Sequence, residues 1–147
     1  MRELTDLESL NVDFLNSHGI EYTTVCLTAN ILDHGIFDAS KPIKTYLKDM
    51  GIHDFDSQKP GEKVLIPTHI ISFQEDVLCN SSLYRAGKRG DKRMWFGSDI
   101  YSFVDEDQMC AIVAHDKELY VFNISSMDIE LCYNSGVSNP IKTLLRR

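Results

Sequence analysis

A chain of 147 residues, 43% apolar and 25% charged, can bury a core without disulfide or metal staples. It has no apolar run near the roughly 20 residues that cross a bilayer. No basic stretch leads into an apolar one at its start. The sequence therefore reads as one cytoplasmic domain with no membrane association, and a net charge of −7 argues against a general nucleic-acid binder.

Residues Glu3 to Ser17 carry Leu4, Leu7, Leu10, Phe14 and Leu15 at helical spacing, and Gly19 ends the run. The β-branched and aromatic stretch from about Tyr22 to Asn30 predicts a strand. Turn formers and two acids make the segment from Leu32 to Ser40 a loop. Ser40 as N-cap and Pro42 in a first turn predict a short helix to about Met50. A polar loop leads to one or two strands around Val64 to Phe73, where Pro67 forces an edge or a bend. Two short strands flank the basic segment Arg85–Arg93, and a short capped helix begins at Ser98 or Asp99. Met109–Ala114 and Leu119–Ile124 form the clearest hairpin, turning through residues 115–118. Together these elements predict a mainly β fold with short helices. The Ser, Asn, Gly and Pro content after Ser125 reads as a linker-like tail over residues 126–147, leaving residues 1–125 as the domain.

Side chains suited to catalysis or metal binding are scattered. Cys26, Cys79, Cys110 and Cys132 form no CxxC pair, which predicts reduced, buried thiols and no zinc site. The five histidines show no HxH or HExxH spacing, and no glycine-rich phosphate loop or GxSxG is present. Asp105-Glu106-Asp107 reads as a solvated loop. The expectation is a non-catalytic domain with no metal and no cofactor.

The informative segment is Leu83–Phe96, LYRAGKRGDKRMWF. Its Arg85–Arg93 core holds five of the 15 basic residues and one acid, so a window of net charge +4 sits on a body of −11. Gly87 and Gly90 let the backbone bend and approach a ligand. Arg85, Arg89 and Arg93 suit guanine edges and phosphates; Lys88 and Lys92 suit phosphates. Asp91 is the odd member: inside a DNA-facing loop it can accept from a cytosine amino group or orient a neighbouring arginine. The alternative is a solvated surface loop in which Asp91 pairs with a lysine. Trp95, Phe96, Tyr101 and Phe103 read as core residues rather than stacking ones.

This loop and its flanks resemble the effector-binding N-terminal domain of EcoRII-type restriction endonucleases, a fold known as the DNA-binding pseudobarrel. The family signature is an aromatic strand, a basic loop Arg-x-Glu-Lys-Arg and an apolar strand. Here it reads Leu83-Tyr84, then Arg89-Gly90-Asp91-Lys92-Arg93, then Met94-Trp95-Phe96. A second match is Leu27-Thr28-Ala29-Asn30 with His34 downstream, where the family has Leu-Ser-Ala-Asn before a histidine-bearing loop. The correspondence spans roughly Tyr22 to Ser125. It implies a pseudobarrel of about seven strands whose two arms, about residues 30–41 and 85–93, grip duplex DNA from the major groove. It also implies a short near-palindromic target of the CCWGG type, read by a single copy of the chain.

The residues implied to touch DNA are Asn30, His34, Lys41, Arg85, Lys88, Arg89, Asp91, Lys92 and Arg93. A nuclease domain fused after the linker-like tail would complete the restriction enzyme. The competing expectation is an acidic interaction or anti-defence module that mimics DNA, with the basic loop incidental.

Overall fold

The structure, a computed structural model, describes residues 2–73, 75–135 and 140–145. Seven strands form one mixed sheet that curls into a half-barrel: β1 (Thr23–Leu27), β2 (Phe37–Asp38), β3 (Lys63–Ile71), β4 (Asp76–Ala86), β5 (Asp91–Trp95), β6 (Gln108–His115) and β7 (Glu118–Asn123). Their spatial order is β1-β6-β7-β3-β4-β5-β2. Neighbours are antiparallel except β3 and β7, which run parallel. The short helices are α1 (Asp6–Ser17), α2 (Ala29–His34), α3 (Lys41–Asp49), α4 (Ile129–Asn134) and α5 (Pro140–Leu145). This is the mainly β, pseudobarrel-like architecture that the sequence predicts. None of the described helices is long and apolar enough to cross a membrane.

The β6–β7 hairpin is the centre of the fold. Asp116 and Lys117 both take left-handed backbone angles, φ 50° and 64°, which matches the twist of a tight hairpin. Both strands are buried on both faces, so alternate side chains feed two cores. Cys110, Ile112, Leu119 and Val121 join the larger core with Leu27, Phe37, Leu47, Leu83 and Phe96. Ala111, Val113, Tyr120 and Phe122 join a second core against α1, α4 and α5. Cys110 and Cys132 are buried, Cys26 and Cys79 half-buried, and all four are free thiols. Burial pushes the Cys110 thiol up to about 12.

Pro67 lies on β3 opposite Asn80, one residue before β7 joins at Thr68. On that side β3 is still an edge, the setting in which a strand tolerates proline.

Three segments differ from the sequence expectation. The first strand stops at Leu27, because the Thr28 hydroxyl accepts from the Ile31 amide at 3.3 Å and caps α2. Residues expected to be loop therefore supply α2 and the two-residue strand β2. The third is the stretch after Ser125. Met127, Ile129, Cys132, Ile141 and Leu144 are buried in the second core, so these residues are part of the folded unit rather than linker-like. Buried Asn11 of α1 bolts the segment down. Its amide donates to the Ile124 and Met127 carbonyls at 2.9 and 2.6 Å and accepts from the Ile129 amide at 2.9 Å.

Candidate nucleic-acid interface

The two segments marked by the sequence converge on one edge of the sheet. Strand β2 pairs with β5, setting Phe37 opposite Met94 and Asp38 opposite Arg93. The Ala39 amide donates to the Lys92 carbonyl at 2.8 Å, extending the junction. The base of the first arm is thereby sewn to the base of the second.

Strands β1 and β2 are the two ends of the sheet, yet both line one open groove of about 760 Å³. Thr24, Val25 and Cys26 form one bank, Phe37, Asp38 and Arg93 the other, and Asn30, Ile31 and His34 of α2 bridge them. The groove is thus the open seam of the half-barrel. Gly35 ends α2 in a left-handed conformation, φ 67°. A Cβ there would meet the Tyr101 hydroxyl at 3.3 Å and the Trp95 ring at 3.8 Å, so glycine lets the first arm seat closely on β5. The Tyr101 hydroxyl also donates to the Leu32 carbonyl at 2.7 Å.

Within the first arm, Asn30 is exposed, and its amide has no partner among the described residues. His34 is exposed, and its Nδ1 donates to the Asn30 carbonyl at 2.8 Å. In an uncharged ring that bond places the hydrogen on Nδ1 and leaves Nε2 as an acceptor. Lys41 is exposed at the start of α3 but lies outside the groove. It borders a neighbouring hollow with Lys44, Lys48 and Asp56.

The second arm is a β4–β5 hairpin whose basic side chains are not equivalent. Arg85 points inward. Its guanidinium donates to the Phe55 and Gln58 carbonyls, both at 2.9 Å, and to the Gly90 carbonyl. Three backbone acceptors thus engage Nε and one terminal nitrogen of Arg85, a scaffold role that the sequence expectation of DNA contact did not include. Lys92 pairs with Asp56 and holds that carboxyl below its usual range. Arg93 donates Nε to Asp38 at 3.2 Å and a terminal nitrogen to Asp91 at 3.3 Å. Asp91 also accepts from Arg89 at 3.3 Å. Arg89 remains 85% exposed, and Lys88 is exposed with no partner among the described residues. So the hairpin tip offers one unpaired cation, Lys88, and a largely exposed Arg89 tethered to Asp91, and its base carries cations paired with carboxylates.

Phe96 is fully buried, as expected, and Phe103 half-buried; Trp95 is half-buried and Tyr101 exposed beside the first arm. Sequence reasoning missed Asp38, Asp56 and the inward role of Arg85. No local signal marks an acid as the partner of a cation 36 or 55 residues away. Among the described residues no three His, Cys, Asp or Glu side chains gather as a metal site. No protein family, curated protein or solved structure matches this chain.

Proposed function

We propose that this chain is a sequence-specific double-stranded DNA-binding domain that grips the major groove with two arms and carries no catalytic centre of its own. The observation that carries the reading is the β2–β5 junction: Arg93 borders both the groove of Asn30 and His34 and a second, smaller hollow lined by Lys88, Arg89 and Asp91. Unpaired Lys88 and the exposed Arg89 suit phosphates, whose contacts fix register without reading sequence. The His34 ring, held through Nδ1, and the carboxylate-held Arg93 are oriented polar groups, as base reading requires, and the Asn30 amide beside them is open to a partner. The acidic remainder of the chain then limits non-specific adhesion.

The motif resemblance at Leu27–Asn30 and Leu83–Phe96 extends this reading to the recognition domain of a restriction endonuclease. In that reading one copy of the chain binds a near-palindromic CCWGG-type site, and a nuclease domain is fused downstream. The competing reading, an acidic module that mimics DNA, draws on the internal pairing of Lys92 and Arg93 with acids. Selection from a random duplex library followed by gel-shift titration separates them. Enrichment of one short motif supports recognition; no retained duplex at low salt supports the mimic.

A further inference from the structure

Asp38 is the acid of the first arm that faces the second. It sits on the edge strand β2, lines the groove, and is 83% exposed. One carboxylate oxygen, Oδ1, accepts from Arg93 Nε at 3.2 Å. The other, Oδ2, has no partner among the described residues. Arg93 is also bonded through a terminal nitrogen to Asp91 at 3.3 Å, so two carboxylates restrain its planar guanidinium. Acid, arginine and acid thus form a row that crosses from one arm to the other along the groove bank. The row sets a fixed donor beside a fixed, unoccupied acceptor.

An exposed carboxylate facing a polyanion is costly unless it meets a hydrogen-bond donor. In the major groove the donors on base edges are the exocyclic amino groups of adenine and cytosine. The phosphates and the other base-edge positions there offer only acceptors or a methyl group.

We propose that Asp38 is a specificity-determining residue that accepts a hydrogen bond from an exocyclic base amino group, with Arg93 donating to the acceptor next to it. An adenine edge offers this pair on one base, through N6 and N7. A G·C pair offers it across the two bases, through cytosine N4 and guanine O6. This rests on the DNA-binding reading above.

The test uses the full chain and the duplex that library selection enriches, with every single-base-pair variant of it. A parallel set deletes one amino group at a time, with purine replacing adenine and 4-deaminated cytosine analogues replacing cytosine. Wild-type protein should lose roughly tenfold in affinity when one particular amino group is removed. Asp38→Ala should show that same loss on the intact duplex and be indifferent to the deletion. Which analogue gives the effect, purine or the cytosine analogue, identifies the base. Thermal unfolding of Asp38→Ala should match wild type, since the side chain is exposed. Selective binding by wild type with no amino-group dependence shared with Asp38 overturns this inference and leaves the DNA-binding reading intact. A uniform change on every duplex, in either direction, also overturns it, because that is the effect of charge alone. Failure of wild type to bind any duplex overturns the underlying reading instead.

Discussion

Arg85 donates to the carbonyls of Phe55, Gln58 and Gly90, and so ties the loop before β3 to the tip of the second arm. Gly90 is part of the same fitting: a Cβ there would lie 2.9 Å from an Arg85 nitrogen and 3.1 Å from the Pro60 ring. Arg85→Ala should cost about 1–3 kcal/mol of stability by stranding half-buried acceptors, and Arg85→Lys should recover only part of it, because lysine lacks the fork. Urea unfolding of the three proteins checks this, and equal stability of all three would remove Arg85 from the scaffold. Glu8 is a second residue with a structural charge. It accepts from both terminal nitrogens of Arg2 at 2.7 Å and from the Thr5 amide and Ser125 hydroxyl, and its side chain is almost fully buried. The Arg2 bonds outweigh the burial penalty and lower its carboxyl from 4.5 to about 2. A depressed carboxyl stabilises the fold above its unfolded value and loses that contribution as pH falls through the folded one. Stability should therefore decline between pH 4.5 and about 2, and Glu8→Gln should flatten that part of a pH-dependent unfolding series.

At the level of elements, His69 joins three strands at once. Its Nδ1 faces Asp76 of β4 at 2.9 Å, its Nε2 faces Glu118 of β7 at 3.0 Å, and its ring stacks on Tyr120 at 4.4 Å. His115 also lies against Tyr120, 6.3 Å away between ring centroids. Burial alone would lower the imidazole, but the hydrogen bonds to Glu118 and Asp76 overcome it and raise it above 6.5. The sign is the reverse of Glu8: this contribution is whole below pH 6.5 and disappears as pH rises through the raised value. Glu118→Gln should shrink the loss of stability seen by chemical denaturation as pH rises above 6.5. The helices α4 and α5 carry a second expectation. Removing residues 126–147 would expose the second core around Phe14, Ala111 and Phe122, so the truncated chain should lose cooperative unfolding and bind a hydrophobic dye. The β6–β7 hairpin, α1 and α3 were legible because their signals are local: alternation, helical spacing and caps. Strand β2 and the fold of residues 127–135 were not, since β2 exists only through β5 and the tail only through Asn11 and the second core. In the candidate site the chemistry of Asn30, His34, Lys88, Arg89 and Asp91 was readable, whereas the partners of Arg85, Lys92 and Arg93 depended on chain crossings that no spacing encodes.

For the molecule as a whole, the count of free cations sets its expected response to salt. Five basic residues in the second arm would release roughly 4–5 counterions if all met phosphate, at about 0.9 each. With Arg85 engaged by carbonyls and the half-buried Lys92 and Arg93 by acids, Lys88 and Arg89, the latter 85% exposed despite its bond to Asp91, remain most available, and the log–log slope from that arm should be nearer −2. Binding titrations across a salt series check it, and a slope near −5 would mean that the internal pairs break on DNA. The parallel contact between β3 and β7 bears on the same interface from the far side. Only four register pairs, from Thr68–Leu119 to Ile71–Phe122, hydrogen-bond the strands β1-β6-β7 to the strands β3-β4-β5-β2. The banks of the groove belong to different halves, β1 to one and β2 to the other. The same two halves are also joined face to face by the larger core, in which Ile70 of one and Val121 of the other are both buried. Trimming Ile70 to Val should therefore loosen both halves together, costing about 0.5–1.5 kcal/mol in chemical denaturation, with the single unfolding transition kept.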